Sequence, residues 1–379
     1  MRKLKLFIRL QAPRVPLFRH QSARRRSAGA ASVLILCLLT PALCFAAGDA
    51  DTVLVLPGRA EQLELGGYLQ VRYQEGGTFG SFSVRRARLQ LEGRIQSELR
   101  FELDVDLSDL GLSDTAQSAR ALKDVILEAR PHPKFRIRAG QFKKAFLLEE
   151  ETSSRSLPVI ERGLLSDHLR KLGYAGRDVG AEARYTMKKS KWRAQMSLSL
   201  MNGEGANQGR ISDGMSDLVL NLVLNRKGIG SLIGAIQWKS RPDVPRIDEK
   251  KAVAAMLGLA VEWHSLSFEG EWLTWAVDPR LSVSEFDDRG HGLRGMALLS
   301  SPRRFLGLHK MEIGLRAEYL EPNESRARGR GDGLARWTGT MTFYLHKNSR
   351  IRIGPQIDWV QDPAYDTTTS WMAEWQLSY

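Results

Sequence analysis

Leu99-Arg100-Phe101-Glu102-Leu103-Asp104-Val105-Asp106-Leu107 alternates without a break, apolar at odd positions and charged at even ones. A period of two puts successive side chains on opposite faces of a β-strand, one face apolar and one charged. The same rhythm extends outward from this stretch. Ala87, Leu89 and Leu91 alternate with Arg86, Arg88, Gln90 and Glu92; Leu65, Gly67, Leu69, Val71 and Tyr73 alternate with Gln70, Arg72 and Gln74. Read to the end of the chain, the pattern predicts sixteen strands. The first eight lie near 63–74, 82–93, 95–107, 121–131, 134–142, 178–188, 191–201 and 216–225. The second eight lie near 230–239, 253–264, 266–277, 290–299, 311–321, 334–346, 350–361 and 370–379. The strand at 290–299 is the least regular, because Arg294 shares its parity with Met296 and Leu298.

Sandwich strands average about 5–6 residues, whereas a tilted strand crosses a bilayer in about 9–11. The connections carry a second signal. Those after odd-numbered strands are long, from about 7 residues in the first to about 35 between 142 and 178, and those after even-numbered strands are tight turns, with Ser300–Lys310 the exception. Long loops on one rim and tight turns on the other are the sidedness of an outer-membrane barrel. The fold class expected is all-β: a transmembrane antiparallel up-and-down barrel over residues 63–379, with apolar side chains toward lipid and charged ones toward a water-filled lumen. All nine Trp fall in predicted strands, as interfacial girdles would require.

Composition bounds the rest. The chain has 379 residues, is 42% hydrophobic and 26% charged, and carries a formal charge of +13. It is too apolar for a disordered chain, and 34 Gly without a triplet period are not collagen. Nine Lys or Arg and no acid occupy residues 1–26, an uncharged stretch with its apolar centre at 33–39 follows, and Pro41 and Ala46-Ala47 close it. That is a secretory signal, with cleavage expected after Ala46. Pro41 and the small-residue end argue against the alternative, an uncleaved anchor. Removing those nine cations from +13 leaves +4, so the basic balance belongs to the export signal and a nucleic-acid partner loses its support. Both cysteines, Cys37 and Cys44, leave too. A short periplasmic segment, 47–62, is expected before the first strand. The longest apolar run after Ala46, Ala252–Val261, is too short for a membrane helix.

Several segments resemble the phosphate-selective porin O and P family. Phe82-Ser83-Val84-Arg85-Arg86-Ala87-Arg88-Leu89 resembles its "RRARL" strand, and Gly140-Gln141-Phe142-Lys143 its "GQFK" strand end. The stretch 149–173, with Ser153-Ser154, Ile160-Glu161-Arg162 and Arg170, is similar to its long third loop; Arg177-Asp178-Val179-Gly180 and Asn202-Gly203 follow in order. The resemblance implies a homotrimeric channel whose third loop folds inward as a constriction, with an Arg/Lys ladder drawing small inorganic anions such as phosphate through it. Guanidinium groups bind phosphate oxygens bidentately, and basic rings select anions in a narrow pore. The pore-lining candidates are Arg72, Arg86, Arg88, Arg130, Lys134, Arg136 and Arg138, with Lys143, Lys144, Arg162 and Arg170 at the constriction; Arg184, Arg193, Arg316 and Arg352 share the inward parity.

The same parity points Glu92, Glu98, Glu102, Asp104, Asp106, Asp124, Glu128, Glu182, Glu318 and Asp358 inward. Strands two and three would then pair Arg86 and Arg88 against Glu98 or Glu102, giving a salt-bridged wall. A general, non-selective porin is therefore the alternative, and a secreted β-protein binding a partner through its loops is a third reading. Outer-membrane lipid is the expected surrounding. The six His beyond residue 46 show no spacing to a nucleophile or a metal, so neither catalytic residue, metal nor cofactor is assigned.

Overall fold

The computed structural model describes residues 52–53, 62–76, 79–110, 121–208, 217–241, 250–277, 289–301, 307–322, 332–362 and 366–379. The expected signal peptide, and the segment 47–62 apart from 52–53 and 62, lie outside these residues. Thr52 and Val53 pair antiparallel with Leu65 and Glu64.

Sixteen strands build the barrel. The first eight are β1 (Gln62–Gly76), β2 (Phe79–Gln96), β3 (Leu99–Asp106), β4 (Leu122–His132), β5 (Phe135–Lys143), β6 (Arg177–Lys189), β7 (Trp192–Met201) and β8 (Asp217–Arg226). The second eight are β9 (Gly230–Arg241), β10 (Lys250–Trp263), β11 (Leu266–Val277), β12 (Arg289–Ser300), β13 (Lys310–Glu321), β14 (Leu334–His346), β15 (Ser349–Val360) and β16 (Thr368–Ser378). Each pairs antiparallel with its neighbours in sequence, and β16 returns to β1 from Ser370↔Gly76 to Ser378↔Tyr68. Closure leaves no edge, so every ladder group is satisfied without water, the condition for a sheet in hydrocarbon. Tyr379 completes the seam: its N–H donates to Gly67 O at 3.1 Å and its hydroxyl to Arg88 O at 3.2 Å. A Cβ on Gly67 would sit 2.5 Å from that hydroxyl, so only glycine leaves room for the terminal ring.

One expected connection is corrected. β1 and β2 are joined by residues 77–78 alone, because both strands run further than the alternation indicated. The sidedness holds in the other connections after odd-numbered strands.

The two faces separate by polarity. Trp192, Trp238, Trp263, Trp272, Trp337, Trp359 and Trp371 are 41% to 63% exposed on the outer surface. Trp275 departs from the girdle expectation: it is 1% exposed on the inner face, its ring 5.2 Å from that of His168. In β12, Arg294 and Met296 both face inward, which resolves the irregular parity.

Inside, residues 144–176 between β5 and β6 carry two helices, α1 (Leu148–Glu151) and α2 (Leu164–Lys171). Phe146, Leu147, Leu165, Leu169 and Tyr174 pack on inward residues of β9 to β11, among them Ile233, Ala252, Ala254, Met256 and Leu273. This explains the apolar run 252–261. Val253, Leu257 and Leu259 of β10 face lipid while Ala252, Ala254 and Met256 face the loop, so this strand is apolar on both sides.

Candidate functional site

The third loop is tied to the inner wall through its backbone. Arg352 donates to Leu157 O at 3.0 Å and Val159 O at 2.9 Å, Arg350 to Arg155 O, Arg72 to Ile160 O at 3.2 Å and Arg316 to Glu161 O at 2.8 Å. These arginines come from β1, β13 and β15, so the segment 155–161 is stitched to strands on both sides of the seam. Arg352 and Arg72 share Glu374 of β16 as counter-charge.

One loop carboxylate gathers three cations. Glu161 pairs with Arg72, with Arg85 at 2.9 Å and with Arg86 at 3.1 Å. Strict alternation would send Arg85 into lipid, where an arginine at mid-depth costs about 2–4 kcal/mol. The register instead shifts between Gln70↔Arg86 and Val71↔Val84. The extra residue forms a β-bulge, and a bulge re-aims side chains; Arg85 and Arg86 thus both reach the lumen. Burial opposes ionisation of Glu161, but the three guanidinium groups hold its carboxyl well below the usual carboxylate range.

Wall carboxylates serve the loop as well. Gly163 precedes α2 and has no side chain to cap it; Glu318 of β13 accepts from Leu164 N at 3.0 Å and Leu165 N at 3.4 Å. Glu271 of β11 accepts from Leu148 N at 3.0 Å at the start of α1. Each acid is balanced by a neighbouring cation, Arg316 at 3.0 Å and Arg294 at 3.0 Å. Carboxylates at helix N-termini satisfy orphan N–H groups and complement the dipole.

Three of the four constriction candidates are held by the loop's own architecture. Lys144 is 1% exposed between Asp178 at 2.9 Å and Asp217 at 2.7 Å, clamping the loop's two ends. Arg162 is 2% exposed and donates to the carbonyls of Glu149 and Thr152. Lys143 also donates to Thr152 O, at 3.1 Å. Arg170 keeps 38% of its side chain exposed while pairing with Glu150 at 2.7 Å. Burial works against the Glu150 charge, yet Arg170 and Arg162 keep its carboxyl below the ordinary range.

The other expected cations lie on β2 and β4 to β7. Arg88 bridges Asp104 at 2.8 Å and Asp106 at 2.9 Å. The pairing of Arg86 and Arg88 with Glu98 or Glu102 is thereby corrected: Arg86 turns to Glu161, and the hairpin register sets Arg88 opposite Asp106. Toward the turn side, Arg138 and Arg184 share Glu182 at 2.8 and 2.9 Å, and Arg130 and Arg136 share Glu128 at 2.8 and 3.6 Å. Arg136 stands directly across from Arg184, and Lys188 from Arg193; Lys134 is exposed beside them. Side-chain exposure separates these cations from those that hold the loop. It is 43% for Arg130, 33% for Arg136 and 22% for Arg184, against 0% for Arg316 and Arg352. The apolar side of the loop packs against β9 to β11, and the cations on the turn-side ends of β4 to β6 keep part of their side chains exposed.

Parity reasoning missed Arg85, whose lipid-facing position was itself the sign of a bulge. It also missed Arg350 and Arg294, although Arg350 sits two residues before Arg352 on one face.

The model of the phosphate-selective porin O and P family matches residues 66–217. Comparison with curated proteins finds no match. Among solved structures, the outer-membrane channel DcaP of Acinetobacter baumannii is similar with a TM-score of 0.59 at 12% identity, covering 86% of this chain and 99% of that one. The anion-selective porin from Comamonas acidovorans gives 0.55 at 11% identity, over 84% and 99%. OmpT of Vibrio cholerae in its trimer form gives 0.53 at 9% identity, over 84% and 99%. At such identities these likenesses concern the fold. Over residues 66–217, which hold the bulged arginines, the loop and its glutamate, the chain matches the model of the phosphate-selective porin O and P family, and its sixteen closed strands have the fold of outer-membrane porins.

Proposed function

We propose that this porin is a passive diffusion channel for small anions, inorganic phosphate among them, working as a homotrimer without catalytic activity or cofactor. It would reach the outer membrane through the periplasm after loss of residues 1–46. The observation that carries the reading is the arc Arg130, Lys134, Arg136, Arg184, Lys188 and Arg193 on the open wall, with Glu128 and Glu182 as its acids. Like charges directly across a ladder destabilise a sheet. Water and passing anions relieve that repulsion in a lumen, and the arc in turn concentrates anions at the turn-side mouth. A relative of the same fold is described as anion-selective, and OmpT as trimeric, which agrees with this reading.

The density of ion pairs favours a second reading, a general porin with a mixed-charge lumen. Purified protein in a planar bilayer under a KCl gradient separates the two. An anion-signed reversal potential, with chloride current reduced by added phosphate, is the expected result. A potential near zero or of cation sign, without block, would leave the general porin.

A further inference from the structure

The turn-side ends of β1 to β3 carry charges that the anion arc does not use. Glu64, Glu92 and Glu102 stand directly across from one another in one cross-strand row of the inner face. The next row toward the turn holds Gln62, Arg94 and Arg100, again directly across. Like charges set opposite each other in a ladder destabilise it, so each row repels within itself. Arg100 is the guanidinium the two rows share: it pairs with Glu92 and lies 3.7 Å from Glu102. Among the described residues, Glu64 accepts only from the side-chain amide of Gln62, and Arg94 is exposed and pairs with no carboxylate.

Among these side chains lies an open cavity of about 180 Å³, lined by Gln62, Glu64, Glu92, Gly93, Arg94 and Arg100. What it can take follows from the spacing. The three carboxylates are strung along a row at the strand separation of about 4.8 Å and do not converge on a point. Among the described residues no three His, Cys, Asp or Glu gather to hold a metal. A lone cation would leave the arginine row repelling, and a lone anion would leave the carboxylate row. Two residues of strand separate the rows, about 6.6 Å at the rise of a β-strand. An extended dipeptide spans about 7 Å, with an ammonium at one end and a carboxylate at the other.

We infer that this corner of the turn-side mouth binds a small dipolar ion of dipeptide length, its ammonium on Glu64 and Glu92 and its carboxylate on Arg94 and Arg100. Both contacts are charge-assisted, and a guanidinium fork matches a carboxylate bidentately. Each end of the ligand relieves the repulsion in one row, which neither end does for both. Water reaches the mouth and screens the contacts, so the affinity is roughly millimolar.

The test is a saturation-transfer NMR titration of the detergent-purified porin with glycylglycine, beside glycine, acetate and methylammonium. Glu64→Gln with Arg94→Gln removes one charge from each row and leaves the net charge of the mouth unchanged. Both side chains are exposed, so the double variant folds, which heat-resistant mobility on gels checks. The expected result is saturable binding of glycylglycine, about tenfold tighter than the other three probes and about tenfold weaker in the double variant. Glycine bound as tightly as glycylglycine would overturn the match of length. Acetate bound as tightly would reduce the site to an anion contact, and methylammonium to a cation contact; either overturns the dipolar ligand. A double variant with wild-type affinity, or no saturable binding at all, would overturn the site. Glycylglycine carries no net charge near neutral pH, and the reversal potential of the double variant in KCl stays that of wild type. The test is thereby separate from anion selectivity.

Discussion

Glu161 is the residue on which the loop's position turns. Three guanidinium groups from two strands converge on one carboxylate. Removing one partner from a buried pair costs about 3–5 kcal/mol, and lumen water screens this site toward the lower figure. Glu161→Gln is expected to leave Arg72, Arg85 and Arg86 repelling one another and to raise open-channel noise in single-channel records. A pH dependence follows from the same group. Its folded value lies below the unfolded carboxylate value of about 4.3. The stabilisation is thus fully present above about pH 5 and is lost as pH falls through the folded value. The thermal midpoint of the folded barrel should fall in acid below about pH 4, and fall less steeply in Glu161→Gln. Equal slopes would assign the acid sensitivity to other carboxylates.

At the scale of the element, alternation made fifteen strands nearly unambiguous and told less about what breaks alternation. β10 was legible as a strand but not as one buried on both faces, because nothing in Ala252–Val261 says that a loop 100 residues earlier covers its inner side. The RRARL motif was legible as a motif, yet the bulge that turns Arg85 inward depends on its pairing with Gln70 and Val71. Trp272 and Trp275 have opposite parity in one strand, so alternation already sends them to opposite faces; what it does not say is that the third loop, through His168, covers Trp275. Gly140, in the GQFK motif, shows the backbone side of the same lesson. Its φ is +124°, and a Cβ there would lie 2.0 Å from Val125 O. The conformation alone costs a non-glycine residue roughly 1–3 kcal/mol. Gly140→Ala should therefore sharply lower the yield of the heat-resistant folded form on gels, whereas Gly205→Ala, with φ +92° but open space around it, should lower it less. Equal yields would show that β4 and β5 can part without loss.

For the whole molecule, the arginines divide by duty. Arg72, Arg85, Arg86, Arg316, Arg350 and Arg352 hold the third loop, whereas Arg130, Arg136, Arg138 and Arg184 pair with wall carboxylates of β4 and β6. The ladder read from parity is therefore largely a scaffold on one side of the barrel and an electrostatic lining on the other. Sequence alone could not make that division, since both groups occupy the same inward positions; what separates them is the side of the lumen on which the loop's apolar face comes to rest. The most direct measurement is the reversal potential of Arg136→Ala with Arg184→Ala beside wild type, under one KCl gradient. The account predicts an anion-signed potential in wild type that moves toward the cation side in the double variant, with single-channel noise unchanged. A wild-type potential of cation sign, or a double variant with the wild-type potential, would contradict it.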